Sequence, residues 1–322
     1  MSSLRPGYET NIGLAFRMLK DVPGVRLHYE PGIQWRGLAH AHEVMAGVGI
    51  NRQIKRAYRF LAEGYEAGDK IVLMGYSRGA YAIRSLAGLI DRMGLIRAED
   101  LTDQTMEQVY NLYREAPNSP RAREVRDTLC HSDVPIDFIG AYDTVRALGI
   151  RWPLIWRFLP MPQPFHSHGL GAHVRVARHA LALNETRVAY APILWNTHYS
   201  AQDRDVEQMW FSGTHGDIGG QVPGADASRA RTNISLVWML NAAEKAGLPM
   251  PDGWEMGLEQ DPNAPSVGNF RGFGKLFLTR RRRLVGADPS ERIHWSVHKD
   301  SRGMDEVQAP SEPPVASPDP AR

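Results

Sequence analysis

One turn constrains this chain more than any other feature, because of what stands on either side of it. Before the turn, Lys70-Ile-Val-Leu-Met74 is a short apolar run, the pattern of a strand buried on both faces of a parallel sheet. After it, Ala80 to Gly94 carries apolar residues at helical spacing and stops at a glycine. Between them lies Gly75-Tyr-Ser-Arg-Gly79, a match to G-x-S-x-G in the strand-to-helix context the motif requires. Such a turn lifts Ser77 above the sheet edge, and Gly75 and Gly79 are expected to leave room where side chains would collide with neighbouring backbone. The backbone N–H of Arg78 then opens the helix and, with the positive end of the helix dipole, faces the place where an oxyanion would form.

The rest of the chain extends the alternation. Helical spacing predicts helices from Thr10 to Leu19, Arg52 to Glu66, Val174 to Glu185 and Ile234 to Ala246, and two polar helices between Asp100 and Asp127 broken at Pro117-Asn-Ser-Pro120. Apolar runs predict strands at Val25–Tyr29, Pro135–Tyr142 and Gln208–Ser212. Helix and strand in alternation give an α/β fold with a mainly parallel sheet flanked by helices. The 322 residues, 43% hydrophobic and 23% charged, suit a sizeable core and exclude coiled-coil, collagenous and largely disordered classes. The motifs below run in order from about residue 10 to residue 297, and residues 1–307 are read as one domain; the Pro-rich tail 308–322 has no apolar periodicity and reads as disordered.

Charge and cysteine content bound the partners. A formal net charge of +2 gives no general pull toward nucleic acid, and none is expected as a partner. The single cysteine, Cys130, cannot form an internal disulfide. No apolar run reaches the length of a membrane span, and the first residues lack a secretory signal, which fits a cytoplasmic protein or one exported without a signal peptide.

A serine nucleophile needs a base and the base an orienting carboxylate, and open parallel sheets gather such groups at the carboxyl ends of strands. Asp143 follows the strand ending at Tyr142, and His215 follows the strand around Trp210, within Ser212-Gly-Thr-His-Gly-Asp-Ile-Gly-Gly220. Asp143 could equally cap a helix. Asp217 is a rival acid and His294 a rival base; His215 with Asp217 could also ligate a metal, although no third ligand stands at suitable spacing. His179, on what reads as an apolar helix face, is assigned to structure.

Taken together these segments resemble a family of α/β-hydrolases that includes the phospholipase effectors of bacterial type VI secretion. The resemblance rests on Gly68-Asp-Lys-Ile-Val-Leu-Met-Gly-Tyr-Ser-Arg-Gly-Ala80, Phe138-Ile-Gly-Ala-Tyr-Asp-Thr-Val145, His179-Ala-Leu-Ala-Leu-Asn-Glu-Thr-Arg187, Trp210-Phe-Ser-Gly-Thr-His-Gly-Asp-Ile-Gly-Gly220 and Ile293-His-Trp-Ser-Val297. It implies that Ser77 is the nucleophile, Asp143 the acid and His215 the base, with Asp217 and His294 in support. It also implies cleavage of carboxylic esters, with lipid or phospholipid as substrate, through an acyl-enzyme that needs neither metal nor organic cofactor. Family members usually open on a strand ending in Asp-Gly-Thr. Here only nine residues precede Thr10-Asn11, so that first strand is expected to be missing and the second oxyanion donor has no assigned source.

A Trp- and Pro-rich stretch follows the acid. Residues 150–170, with Trp152, Trp156 and Phe158, read as a lid or acyl-binding wall that could touch a membrane peripherally, or equally as a packed loop. Arg280 to Arg283 is the one basic run and reads as a solvated face. Two further functions fit the same residues: a catalytically weakened or inactive hydrolase-like domain that binds lipid or protein, and an esterase for small soluble esters.

Overall fold

The computed structural model describes residues 4–32, 48–145, 170–198, 204–222, 226–270, 275 and 277–297. The lid-like stretch with Trp152, Trp156 and Phe158 and the tail 308–322 lie outside the described residues.

Five parallel strands form the sheet: β1 (Val72–Tyr76), β4 (Ile136–Tyr142), β5 (Val174–Ala182), β6 (Asp205–Phe211) and β7 (Glu291–Ile293), in that spatial order. A small antiparallel pair, β2 (Leu95–Ile96) with β3 (Cys130–His131), stands apart. The helices are α1 (Asn11–Leu19), α2 (Val48–Ala62), α3 (Arg78–Met93), α4 (Asp103–Glu115), α5 (Pro120–Leu129), α6 (His215–Gly219) and α7 (Arg229–Lys245). Local chemistry sets several of their starts. Thr10 caps α1 by accepting from the Gly13 N–H, Thr102 and Thr105 form a reciprocal capping box on α4, and Ser119 caps α5 with Pro120 at its first position.

Helices cover both faces of the sheet. On one side α2, α3, α4 and α5 pack Ile54, Leu89, Ile90, Val109 and Val125 against Leu73, Ile139, Ala141 and Ala177. On the other, Leu19 of α1 and Ile234, Met239 and Ala243 of α7 pack against Tyr76, Phe138, Tyr142, Ala180, Met209 and Phe211. Strand β4 lies between the two layers with all seven residues buried, which is why it shows no polar alternation; its one charged residue, Asp137, is buried and pairs with Arg175.

Two expectations fail. Val25–Tyr29 forms no strand; its side chains anchor it instead, Leu27 on the α1–α7 side of the core and Tyr29 against the Phe16 ring. Val174–Glu185 is no helix: Val174–Ala182 is strand β5, held between β4 and β6. Its alanines, arginines and leucine have good intrinsic helix propensity, and burial on both faces removes the period-two signal from its second half. Arg175 pairs with Asp137, and Arg178 with Asp205, each across a strand boundary, so the arginines of this segment pair with carboxylates of the neighbouring strands.

Candidate active site

The carboxyl ends of β1, β4 and β6 bring three of the expected residues together. Ser77 follows β1 directly, with φ 60° and ψ −117°, and its N–H donates to the Tyr142 carbonyl at 2.8 Å. Asp143 follows β4 with φ 42°. Among the described residues these two are the non-glycine positions with positive φ, a conformation that costs about 1–3 kcal/mol and is found where side chains must be aimed. His215 opens α6 after β6 and is 4% exposed.

The three side chains are connected. His215 Nε2 lies 2.9 Å from Ser77 Oγ, and His215 Nδ1 lies 2.5 Å from Asp143 Oδ2. An ionised carboxylate can only accept, so Nδ1 carries the ring proton, Nε2 is bare, and the Ser77 hydroxyl donates to it. Burial by itself would raise the Asp143 pKa. The Arg283 guanidinium and the bond to His215 outweigh it and hold the carboxyl well below its ordinary range. For His215, burial pushes the pKa down, and the adjacent Asp143 only partly restores it.

Arg283 carries more of this site than the basic run suggested. Its side chain is 5% exposed; Nη1 donates to Asp143 Oδ1 and to the Ala182 carbonyl, and Nη2 donates to Asp143 Oδ2 at 2.9 Å and to the Tyr190 carbonyl. The reading of Arg280–Arg283 as a solvated face is therefore corrected for Arg283, while Arg281 and Arg282 are exposed. Nothing in four consecutive arginines marks which one turns inward.

Two tyrosines hold the imidazole. Tyr76 is tilted against it and Tyr190 meets it edge-on, each with ring centroids 4.8 Å away. The Tyr76 hydroxyl also donates to the His215 carbonyl at 3.0 Å. Behind Tyr190, Arg187 stacks on the ring at 3.8 Å and forms a paired bond with the buried Glu185, whose other role is to accept the His215 backbone N–H at 3.3 Å. Glu185 and Arg187 stand two apart, so their side chains emerge on one side of an extended chain; that spacing was the available signal for this pair.

The turn glycines differ from one another. A Cβ on Gly75 would lie 2.5 Å from the Gly79 carbonyl oxygen, so position 75 requires glycine. A Cβ on Gly79 meets no heavy atom within 4 Å, which corrects the expectation that Gly79 also prevents a collision. The backbone N–H of Arg78 stands in the first turn of α3, beside Ser77.

The rival acid and base have other work. Asp217 accepts from the Thr214 N–H and hydroxyl, the Ser266 hydroxyl and the Val267 N–H, closing the cap of the helix that carries His215. His294 bonds Ser296 through Nδ1 at 2.9 Å and lies tilted against the Phe211 ring; burial drives its pKa down to about 3, and it makes no bond to Ser77, Asp143 or His215. His179 sits in β5, not on a helix: its Nε2 accepts the Thr144 N–H at 3.1 Å and its Nδ1 faces Gln208 Oε1 at 3.3 Å. Burial first, then the Arg84 charge, takes its pKa down to about 3, so it stays neutral and fixes the residue next to Asp143. Among the described residues no group of three or more His, Cys, Asp or Glu is placed to hold a metal ion, and no helix is long and apolar enough to cross a membrane.

Comparison with known proteins adds a lineage to this geometry. The chain is 34% identical over 205 residues to the uncharacterized protein YEL023C of Saccharomyces cerevisiae, an alignment covering 55% of this chain and 29% of that protein. Among solved structures it is similar to the Tle1 effector bound to the VgrG spike of the type VI secretion system, with 18% identity, a TM-score of 0.33, and coverage of 66% of this chain and 40% of that one. An uncharacterized protein from Pseudomonas aeruginosa matches with 16% identity and a TM-score of 0.35 over 78% of this chain and 37% of that one. The chain thus spans less than half the length of each of these proteins. The family described as the type VI secretion, phospholipase effector Tle1-like catalytic domain matches residues 2–242, three quarters of the chain, and the chain belongs to that family.

Proposed function

We propose that this chain is a serine hydrolase that cleaves carboxylic esters of lipids, phospholipids foremost, through Ser77, His215 and Asp143. The observation that carries the reading is the continuous pair of hydrogen bonds from Ser77 Oγ to His215 Nε2 and from His215 Nδ1 to Asp143. In the first step His215 Nε2 takes the hydroxyl proton as Ser77 Oγ bonds to the ester carbonyl carbon, and the carbonyl oxygen becomes an oxyanion. The Arg78 N–H, at the positive end of α3, faces that charge. The intermediate collapses as the C–O bond to the alcohol breaks and His215 returns the proton to the departing oxygen. Water, deprotonated by the same Nε2, then releases the fatty acid and restores Ser77. Asp143 stays ionised throughout and stabilises the imidazolium, in keeping with its depressed pKa. The lipid substrate rests on the family.

The test is hydrolysis of a short-chain aryl ester by purified protein, with Ser77→Ala and His215→Ala beside the wild type. A fluorophosphonate should label the wild type on Ser77 and leave Ser77→Ala unlabelled. Equal turnover by wild type and Ser77→Ala would refute the serine-hydrolase reading, and the absence of both turnover and labelling would make this a binding domain. A rate that does not rise when the ester passes from monomers to micelles would replace lipid with a small soluble ester.

A further inference from the structure

The positive balance of this chain comes from one stretch. From Pro262 to Ala287 there are six Lys and Arg and no Asp or Glu, while the remainder holds 32 Lys and Arg against 36 Asp and Glu. The same stretch supplies three of the five exposed large hydrophobic residues among the described residues: Phe270 at 62%, Leu278 at 80% and Leu284 at 70% exposure. Arg281 and Arg282 stand exposed between these leucines, and the Arg280 guanidinium lies 3.7 Å over the Phe270 ring.

This edge is fastened to the rim of the site. Val188 N–H donates to the Thr279 carbonyl at 3.2 Å and Arg281 N–H to the Thr186 carbonyl at 2.8 Å, pairing it with the loop that carries Tyr190. Phe277 meets the Tyr190 ring edge-on at 5.6 Å, Tyr190 meets His215, and Arg283 reaches Asp143. The segment therefore touches the Ser77 site through Phe277 and Arg283 and exposes both apolar and cationic groups to solvent.

We propose that Phe270, Leu278, Arg281, Arg282 and Leu284 form a docking surface for an anionic phospholipid bilayer, seating the mouth of the Ser77 site at the lipid interface. Apolar side chains gain by leaving water for the acyl boundary, and each cation near an anionic surface adds attraction that salt screens. Charge complementarity selects the occupant. A second copy of the same cationic edge would be repelled, and a neutral bilayer would leave Arg281 and Arg282 without counter-charge. The docking surface itself stands apart from the ester-hydrolase reading; only the seating of the site at the interface rests on it.

The experiment is co-sedimentation of the full chain with vesicles of phosphatidylcholine alone and of phosphatidylcholine with phosphatidylglycerol in a three-to-one ratio, at low and high salt. The wild type should bind the anionic vesicles preferentially and lose binding as salt rises. The exposed-residue variants R281Q/R282Q and L278S/L284S should each weaken partitioning by about tenfold or more, with turnover of the soluble aryl ester unchanged. Equal binding to both vesicle types, no binding, or unchanged binding by R281Q/R282Q would overturn the proposal. So would unchanged binding by L278S/L284S, which would reduce the edge to a general polyanion contact. Ser77→Ala separates the two readings: it should bind vesicles like the wild type. A wild type that sediments with anionic vesicles yet hydrolyses no ester refutes the hydrolase and keeps the surface.

Discussion

Removing Arg283 tests the electrostatic argument of the site most directly. Both oxygens of Asp143 are saturated, Oδ1 by the Ala182 N–H and Arg283, Oδ2 by His215 and Arg283, and the carboxylate is fully buried. Arg283→Gln leaves that charge with one amide and one imidazole. Breaking a buried ion pair from one side costs about 3–5 kcal/mol, a large share of the ~5–15 kcal/mol that holds a domain folded. Asp143→Asn costs by the converse route, leaving the guanidinium opposite a neutral amide, although Arg283 keeps the Ala182 and Tyr190 carbonyls. The double variant strands neither charge, so its loss should fall short of the sum of the singles by about 2 kcal/mol. Urea unfolding of the four proteins at pH 7 measures this. The pH dependence has a definite sign. The folded carboxyl titrates below its ordinary value of 3.8, so its contribution is complete above about pH 4 and is lost as the pH falls toward the folded pKa. The gap between wild type and Arg283→Gln should therefore narrow below about pH 4. A single-variant cost under about 1 kcal/mol, or losses that add within ~0.5 kcal/mol, would refute the reasoning.

Other consequences are open to measurement. Because burial lowers the His215 pKa, the acidic limb of kcat/KM for ester turnover should lie below 6.5, the ordinary imidazole value; a limb at or above it would show the base to be better solvated than its packing between Tyr76 and Tyr190 implies. Gly75→Ala should lower stability by about 1–3 kcal/mol through the clash with Gly79 backbone, whereas Gly79→Ala should be neutral or stabilising by up to ~1 kcal/mol from helix propensity; thermal melts of equal size for the two would contradict the geometry. His179→Phe should remove the acceptor of the Thr144 N–H, costing about 1–3 kcal/mol for the buried donor and slowing turnover by displacing Asp143; a melt like wild type would contradict this.

The parts of the site legible in the sequence are those for which backbone chemistry leaves a mark. Strand β1, the turn at Ser77 and helix α3 follow from an apolar run, two glycines and helical spacing, and the positions of Asp143 and His215 follow from where apolar strands stop. Strand β5 is not legible as a strand because its second half, buried on both faces, has no periodicity of its own; its identity is set by β4 and β6 on either side. The same holds for the placement of His179. Its structural role is legible from apolar neighbours, yet the bond that makes it matter, to the residue after Asp143, needs the register of β4 against β5.

Arg283 marks the boundary of what one-dimensional reading can reach. A run of four arginines carries a charge signal that is the same for every member, and the average expectation for such a run is a solvated face. What singles out Arg283 is a partner 140 residues earlier. Asp143 is buried by the same strand ends that make it useful, and a buried carboxylate beside a largely neutral imidazole has one charge too many. The strands that frame Asp143 are filled by their own core residues, and the cation comes from a segment outside them, later in the chain. The requirement for a cation follows from physics once Asp143 is placed; its identity follows only from the return of the 277–284 segment along Thr186–Tyr190. That return also leaves Arg281 and Arg282 exposed where Arg283 turns inward, so the contact that holds Asp143 and the exposed cationic edge belong to one stretch of backbone.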